Sequence, residues 1–548
     1  MNFSRLNNIV GWIVGLIACT VYIMTMEATG SLWDTGEFIS SAFKLQVPHP
    51  PGAPMFILLG RFFIVLFGDN PQSAARAVNF MNAIASGLTI LFLFWTITHF
   101  ARKMVQKGRE ELTGANLFVT MGAGVVGALA YTFSDSFWYS AVEGEVYALS
   151  SLFTAIVFWA ILKWEHEVDR ESKTDGHKFS RADRWLVFIF YMMGLSIGVH
   201  LLNLLTIPAI VMVYYFKRYT VTKWGTFWAF LIGCIITGIV QVAIIQWSIK
   251  GAGAFDIFFV NQIGTPFFVG FGIYFAVLAG LLVLGLRFTQ AQIKKFTGFG
   301  VWLAAIILMF CFPFINSGAT FFLLLLAISA VVAICYYAKD KIFSFLKIAI
   351  WSTIFVIIGY STYFSTLVRS NANPSVDMYN VDNPVSLVGY LSREQYGDWP
   401  ILYGPFFTEE LTNEDYVESG DIYVKGADKY EVAGKQRKLN YSGMETAHLF
   451  PRTWDNGTER NQEGMYRNFG GLEQGEEPNT ATDIKYFMSY QFRWMYWRYF
   501  MWNFAGKQND LQGFGNIRDG NWQSGIHFID NTIFGISTDK ELPDTAGT

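Results

Sequence analysis

The feature that most constrains this chain is a succession of apolar runs, each close to the roughly 20 residues needed to cross about 30 Å of hydrocarbon. They lie near 9–26, 79–100, 116–133, 147–163, 185–200, 201–216, 224–247, 265–286, 299–315, 318–337 and 346–367. In hydrocarbon every backbone polar group needs an internal partner, so runs of this kind are expected to be helices. The expected fold is a membrane α-helical, polytopic bundle of about 11 spans. Composition agrees: 52% of residues are hydrophobic and 15% charged, against about 25% charged in soluble domains. This excludes a disordered tail protein, a coiled coil, a secreted disulfide scaffold and a basic nucleic-acid binder. Membrane lipids are expected partners and nucleic acid is not.

Charge divides the chain. Residues 1–367 carry 24 Lys+Arg and 17 Asp+Glu, net +7, whereas residues 368–548 carry 16 and 26, net −10. The reading is a polytopic transmembrane domain at 1–367 and a soluble, extracytoplasmic mixed domain at 368–548. The four cysteines, Cys19, Cys234, Cys311 and Cys335, sit in apolar runs without metal-site spacing and read as small core residues. The first run lacks a small-residue cleavage site and is read as a retained span.

Loop charges orient the set. With Arg5 inside, the loops 101–115, 163–184, 217–223, 287–298 and 338–347 bring the inner total to 20 of the 24 cations, leaving Lys44, Arg61, Arg76 and Lys250 outside. Acidic residues divide nine to eight, so the bias is cationic, as the positive-inside rule requires. Residues 55–67 (MFILLGRFFIVLF) are apolar but short, and counting them as a span would invert every later loop. They read as an interfacial or re-entrant helix inside a long first outer loop, 27–78.

Polar groups collect on that outer face, where carboxylates beside hydrocarbon are functional candidates. Asp34 and Glu37 are three apart and share a face on a helical turn. They could accept a proton from a hydroxyl, hold a divalent ion, or cap the helix beginning near Gly36. Pro48-His49-Pro50-Pro51-Gly52-Ala53-Pro54 cannot be regular helix and reads as a rigid strap carrying His49. Glu143 and Glu145 share a side only if extended, the alternative being a solvated loop. His200 and Asn203 lie among apolar residues, either as a satisfied packing pair or as site lining. Lys250, Asp256, Asn261 and Gln262 occupy another outer connection. The soluble part opens with Arg369-Ser370-Asn371 and continues through Arg393. Residues 486–506 (YFMSYQFRWMYWRYFMWNFAG) read as an interfacial aromatic helix, with Arg493 and Arg498 offered to phosphate or serving as ordinary surface arginines. No P-loop and no H-E-x-x-H occur.

A long first outer loop opening on an acidic pair, many spans and a C-terminal outer domain resemble the plan of GT-C glycosyltransferases. More narrowly, Trp33-Asp34-Thr35-Gly36-Glu37-Phe38, the Pro48-to-Pro54 strap, Glu145-Val146-Tyr147-Ala148-Leu149 and Gly194-Leu195-Ser196 with His200 resemble one multipass family abundant in Bacteroidota. Its eukaryotic relative is the transmembrane protein 260 type of protein O-mannosyltransferase. Arg369 to Pro374, Arg393 to Gly397 and Arg498 to Gly506 extend the resemblance over nearly the whole chain. It implies a GT-C-like bundle and transfer of a hexose, mannose foremost, from a polyprenyl-phosphate sugar donor to Ser or Thr of an extracytoplasmic protein acceptor.

By position, the resemblance implies Asp34 as general base with Glu37 as helper, and inversion at the sugar. Substrate-binding roles fall to His49, Glu143, Glu145, His200, Asn203, Arg369, Asn371, Arg393, Arg493 and Arg498. Mg²⁺ or Mn²⁺ at Asp34 and Glu37 stays open. The implied location is the bacterial inner membrane, multipass, with the C-terminal domain periplasmic. Longer members continue with further spans after a stretch like 520–548. Two other classes compete: a transporter or flippase for a lipid-linked sugar, and a non-catalytic subunit of an envelope complex. Asp544-Thr545-Ala546 has the form of a short O-glycosylation acceptor motif.

Overall fold

The computed structural model describes residues 2–106, 112, 114–171, 181–290, 296–314, 318–337, 339–397, 399–457, 461–533 and 535; the Asp544-Thr545-Ala546 motif lies outside them. They form two compact units. The first comprises Met1–Phe133, Phe137–Gln395 and Val424–Glu431, and the second Ser134–Ser136, Tyr396–Tyr423 and Val432–Thr548.

The helices run in order α1 (Phe3–Thr25), α2 (Thr35–Lys44), α3 (Pro54–Leu66), α4 (Pro71–Gln106), α5 (Gly114–Thr132), α6 (Asp135–Val142), α7 (Val146–Glu171), α8 (Asp183–Ile197) and α9 (Ile207–Arg218). There follow α10 (Lys223–Ile239), α11 (Ser248–Phe258), α12 (Val269–Gln290), α13 (Phe296–Cys311), α14 (Gly318–Tyr337), α15 (Lys339–Tyr360), α16 (Phe364–Ser370) and α17 (Pro384–Ser392). Among the described residues, eight helical stretches are long and apolar enough to cross a membrane. They correspond to eight of the eleven expected runs, so the fold is polytopic and helical. Of the other three runs, 185–200 forms the 15-residue α8, the described part of 299–315 lies in the 16-residue α13 and the 3-10 turn Phe312–Phe314 that follows it, and 318–337 coincides with the 20-residue α14. Residues 55–67 form the 13-residue α3, started by Pro54 at its first turn.

Helices cross closely where glycine removes the side chain, as in membrane bundles generally. A Cβ on Gly87 of α4 would stand 2.0 Å from Cys19 Sγ of α1, and one on Gly194 of α8 would stand 2.5 Å from the Val356 carbonyl of α15. Gly122-Ala123-Gly124-Val125-Val126-Gly127 has the glycine spacing of a dinucleotide loop, yet it lies within α5, where Gly124 and Gly127 admit Phe94, Thr98 and Ile97 of α4. Cys19, Cys234 and Cys311 are free thiols.

One helix axis separates two kinds of chemistry. Glu145 stands immediately before α7, and Glu165 lies near its far end, paired with His99 and with Lys103 and Lys217. Twenty residues at 1.5 Å per residue put these carboxylates roughly 30 Å apart, about a bilayer core.

The second unit contains the short strand pair β1 (Tyr403–Gly404) with β4 (His448–Leu449). Most of the hairpin of β2 (Tyr416–Lys425) and β3 (Tyr430–Leu439) also belongs to it, and β5 (Gly506–Lys507) pairs with β6 (Trp522–Gln523). Its helices are α18 (Gln462–Gly470), α19 (Thr480–Tyr486) and α20 (Arg498–Trp502), the last two joined by a π-helical segment, Phe487–Trp497. The hairpin tip counts with the first unit: Tyr430 donates its hydroxyl to the fully buried Asp256 at 2.7 Å and exchanges two backbone bonds with the Asn261 amide.

A leucine at position 194 would overpack the α8–α15 crossing. Gly194→Leu is expected to cost about 1–3 kcal/mol, read as a lower thermal midpoint of the detergent-purified protein, whereas Gly122→Leu, which meets open space, leaves it near wild type.

Candidate functional site

The site begins where the chain leaves α1. Asp34 occupies the cap position of α2, but its carboxylate makes no capping bond, and 56% of the side chain is exposed. Glu37, one turn on, is already engaged: its two oxygens accept from the backbone N–H and ring Nδ1 of His49, both at 2.7 Å. With Nδ1–H committed to Glu37, the His49 Nε2 faces Asp34 Oδ2 at 3.9 Å. The three residues' ligand atoms all lie within 4.8 Å of one another. Two carboxylates and an imidazole could therefore share a proton or hold a divalent ion.

The strap earns its rigidity from tyrosines far along the chain. Tyr390 of α17 donates to the Pro48 carbonyl at 2.5 Å, and Tyr363 donates to those of Gly52 and Ile197. Gly52 has φ +68°, and a Cβ there would stand 2.3 Å from the Tyr390 hydroxyl. Val47 forms a parallel bridge with Asp377, held by bonds from Val47 N to the Val376 carbonyl and from Met378 N to the Val47 carbonyl.

Behind the triad, α4 supplies two buried asparagines one turn apart. Asn79 donates to the carbonyls of Glu27 and Thr29, and Asn82 to those of Glu143 and Glu145. These four bonds hold two irregular loops. Glu143 accepts from Ser31 at 2.8 Å, while burial pushes its carboxyl up. Glu145 is 7% exposed. Burial is the main cause that pushes its carboxyl up to about 7, with the charges of Asp34 and Glu143 adding to it.

The other expected residues divide. His200 accepts from the Leu202 N–H at 3.2 Å and lies 5.5 Å from the Tyr147 ring. Asn203 is buried, and neither polar atom of its amide has a partner. Arg369 donates to the carbonyls of Leu45 and Lys44, closing the end of α2, and Asn371 donates to those of Leu367 and Asp382. Arg393 caps α17 in a left-handed conformation. Arg493 and Arg498 belong to the second unit. Sequence reasoning missed Ser31, Asn79, Asn82, Tyr363 and Tyr390. Asn79 and Asn82 carry a signal, two amides three apart at the mouth of an apolar run; the tyrosines carry none.

With this geometry in view, the comparisons are informative. Residues 34–223, which begin at Asp34 and include every expected site residue through Asn203, match the family described as the protein O-mannosyl-transferase TMEM260 N-terminal domain. Residues 397–488 match a family of unknown function, DUF8416. The chain is 26% identical over 201 residues to protein O-mannosyl-transferase tmem260 of Dictyostelium discoideum, covering 36% of this chain and 22% of that protein. It is 28% identical over 154 residues to protein O-mannosyl-transferase TMEM260 of Mus musculus, covering 28% and 19%. The chain thus spans about a fifth of the length of these curated relatives. No solved structure matches. The part of the chain that carries the triad is similar to the N-terminal domain of TMEM260-type proteins.

Glu145 yields a signed pH effect. A carboxyl raised in the folded state stabilises the fold below its unfolded value and loses that contribution as pH rises toward about 7. Glu145→Gln is expected to flatten the thermal midpoint between pH 4.5 and 7, where the wild type declines more steeply; thermal unfolding across that range checks it.

Proposed function

We propose that this chain is a membrane glycosyltransferase that moves a hexose, mannose foremost, from a polyprenyl-phosphate carrier to a Ser or Thr hydroxyl of an extracytoplasmic protein. The observation that carries the reading is the free Asp34 carboxylate, 3.9 Å from a Glu37-oriented His49, at the start of the stretch that matches the TMEM260 N-terminal domain. The relatives are named protein O-mannosyl-transferases, which supports this reaction class and sugar.

In this mechanism the acceptor hydroxyl attacks the anomeric carbon from the face opposite the carrier. The new carbon–oxygen bond forms as the bond to the phosphate oxygen breaks, the phosphate leaves with the electron pair, and Asp34 receives the hydroxyl proton. One displacement inverts the configuration. Glu37 acts through His49, holding its ring so that Nε2 faces the same space as Asp34. With its carboxyl pushed up to about 7, mainly by burial, Glu145 carries less negative charge near neutral pH than an ordinary carboxylate, which lessens the repulsion of a phosphate. If the reaction uses a divalent ion, Asp34, Glu37 and His49 would hold it, and the mixed oxygen and imidazole set suits Mn²⁺ as well as Mg²⁺. Its contribution would be to neutralise charge on the departing phosphate.

The separation of site carboxylates from the Glu165 cation cluster along α7 supports an outward-facing site. In a bacterium that face is the periplasmic side of the inner membrane. In this reading His200, Asn203 and Arg393 serve as lining for donor or acceptor. Carboxylates gathered at one helix end favour transfer over a flippase, which needs charges at mid-membrane.

The purified chain, given polyprenyl-phosphate mannose and a Ser/Thr peptide, is expected to form mannosyl peptide. Asp34→Asn, which keeps size, is expected to lower the rate by about 100-fold or more with the fold intact. An unchanged rate removes Asp34 as base, and no transfer by wild type with any prenyl-linked hexose removes the enzymatic reading.

A further inference from the structure

The second unit contains an open cleft of about 570 Å³ along the helix that runs from α19 into α20. Its lining includes two arginines, several aromatic rings and no carboxylate. The backbone geometry explains how both arginines reach it. In an α-helix, residues five apart point about 140° away from each other. Here the segment Phe487–Trp497 is π-helical, and the Arg498 N–H bonds to the Arg493 carbonyl, five residues back. That register stacks residues five apart. Met488, Arg493 and Arg498 accordingly line one cleft, as do Phe492 and Trp497.

The donors in this cleft are in excess. Arg498 is 1% exposed. It gives Nε to the Trp494 carbonyl and Nη1 to those of Gln512 and Gly520, and its guanidinium lies 4.0 Å from the Trp494 ring centre. Its Nη2 and the Trp494 indole N–H are buried without a partner. The exposed Arg493 guanidinium has no hydrogen-bond or ion-pair partner among the described residues. A bare buried donor is destabilising unless something accepts from it. Cations and indole donors with no acid in the lining, the nearby Asp519 carboxylate being held by Asn516, select an anion with several acceptor oxygens, and a phosphate matches a guanidinium pair best. The rim decides what else the ligand carries. Met488, Phe492 and Trp497 are 51%, 43% and 38% exposed, and Tyr496 and Phe500 continue this apolar face at 58% and 43%. Such a rim suits an apolar body attached to the phosphate and disposed at a lipid surface.

We propose that this cleft binds a phosphate ester borne by a lipid, with the phosphate between Arg493 and Arg498 and the chain against the exposed aromatic face. The cleft and its donors stand independently of the transfer chemistry at Asp34.

The test uses the full chain in an uncharged detergent, titrated calorimetrically with dihexanoyl phosphatidate, dihexanoylglycerol and inorganic phosphate. Phosphatidate is expected to bind, dihexanoylglycerol at least tenfold more weakly, and Arg493→Gln to weaken phosphatidate about tenfold. Arg493 is exposed, so this variant leaves the core intact, and Trp497→Ala is expected to weaken the lipid more than inorganic phosphate. Inorganic phosphate binding as tightly as phosphatidate would assign the site to free phosphate and overturn the lipid assignment. Equal affinity for dihexanoylglycerol and phosphatidate, or phosphatidate affinity unchanged in Arg493→Gln, overturns the proposal.

Discussion

A carbonyl that faces hydrocarbon without a donor costs several kcal/mol, and the first unit is organised around avoiding that cost. A regular helix satisfies its own backbone; the loops between helices cannot. Side chains from the helices do it for them. Asn79 and Asn82 hold the carbonyls of two loops at once, Arg369 closes the end of α2, Arg61 reaches the Phe43 carbonyl, and Tyr390 and Tyr363 hold the strap. The irregular backbone that carries Asp34, His49, Glu143 and Glu145 can therefore exist at the end of a membrane bundle.

The same arrangement gives the site its chemical asymmetry. With the amide and arginine donors directed at carbonyls, Glu37 is left to His49, Glu143 to the Ser31 hydroxyl and Glu145 to the Val146 N–H. Glu37 takes both its bonds from His49, so the nearest free carboxylate is Asp34. Glu145, buried beside these charges, holds its proton toward neutral pH. Asp34, Glu37 and Glu145 thereby acquire three roles: one without a capping bond, one orienting a ring and one with its carboxyl pushed up. The division follows from burial and hydrogen bonding rather than residue type.

Arginines follow a related rule. Arg369 and Arg498 are both among the expected substrate-binding residues, and both donate to carbonyls. Arg498 differs in keeping one buried nitrogen without a partner, in a cleft that Arg493 joins because the helix is wound in π register. Five-residue spacing in an aromatic run gave no indication of this, since it reads as opposite faces on an α-helix.

The sequence by itself determined the polytopic helical class, the cationic bias of alternate loops and the gathering of acids after the first span, because hydrocarbon imposes length and charge rules that are local to each run. Asp34 and Glu37 were legible as a pair for the same reason: their spacing fixes a shared face. Tertiary structure alone decided that Glu37 would serve His49, and that Tyr390, more than 300 residues away, would hold the Pro48 carbonyl. Those outcomes depend on which helix ends meet and which donors they bring to bare carbonyls, and no local pattern of residues encodes such a meeting.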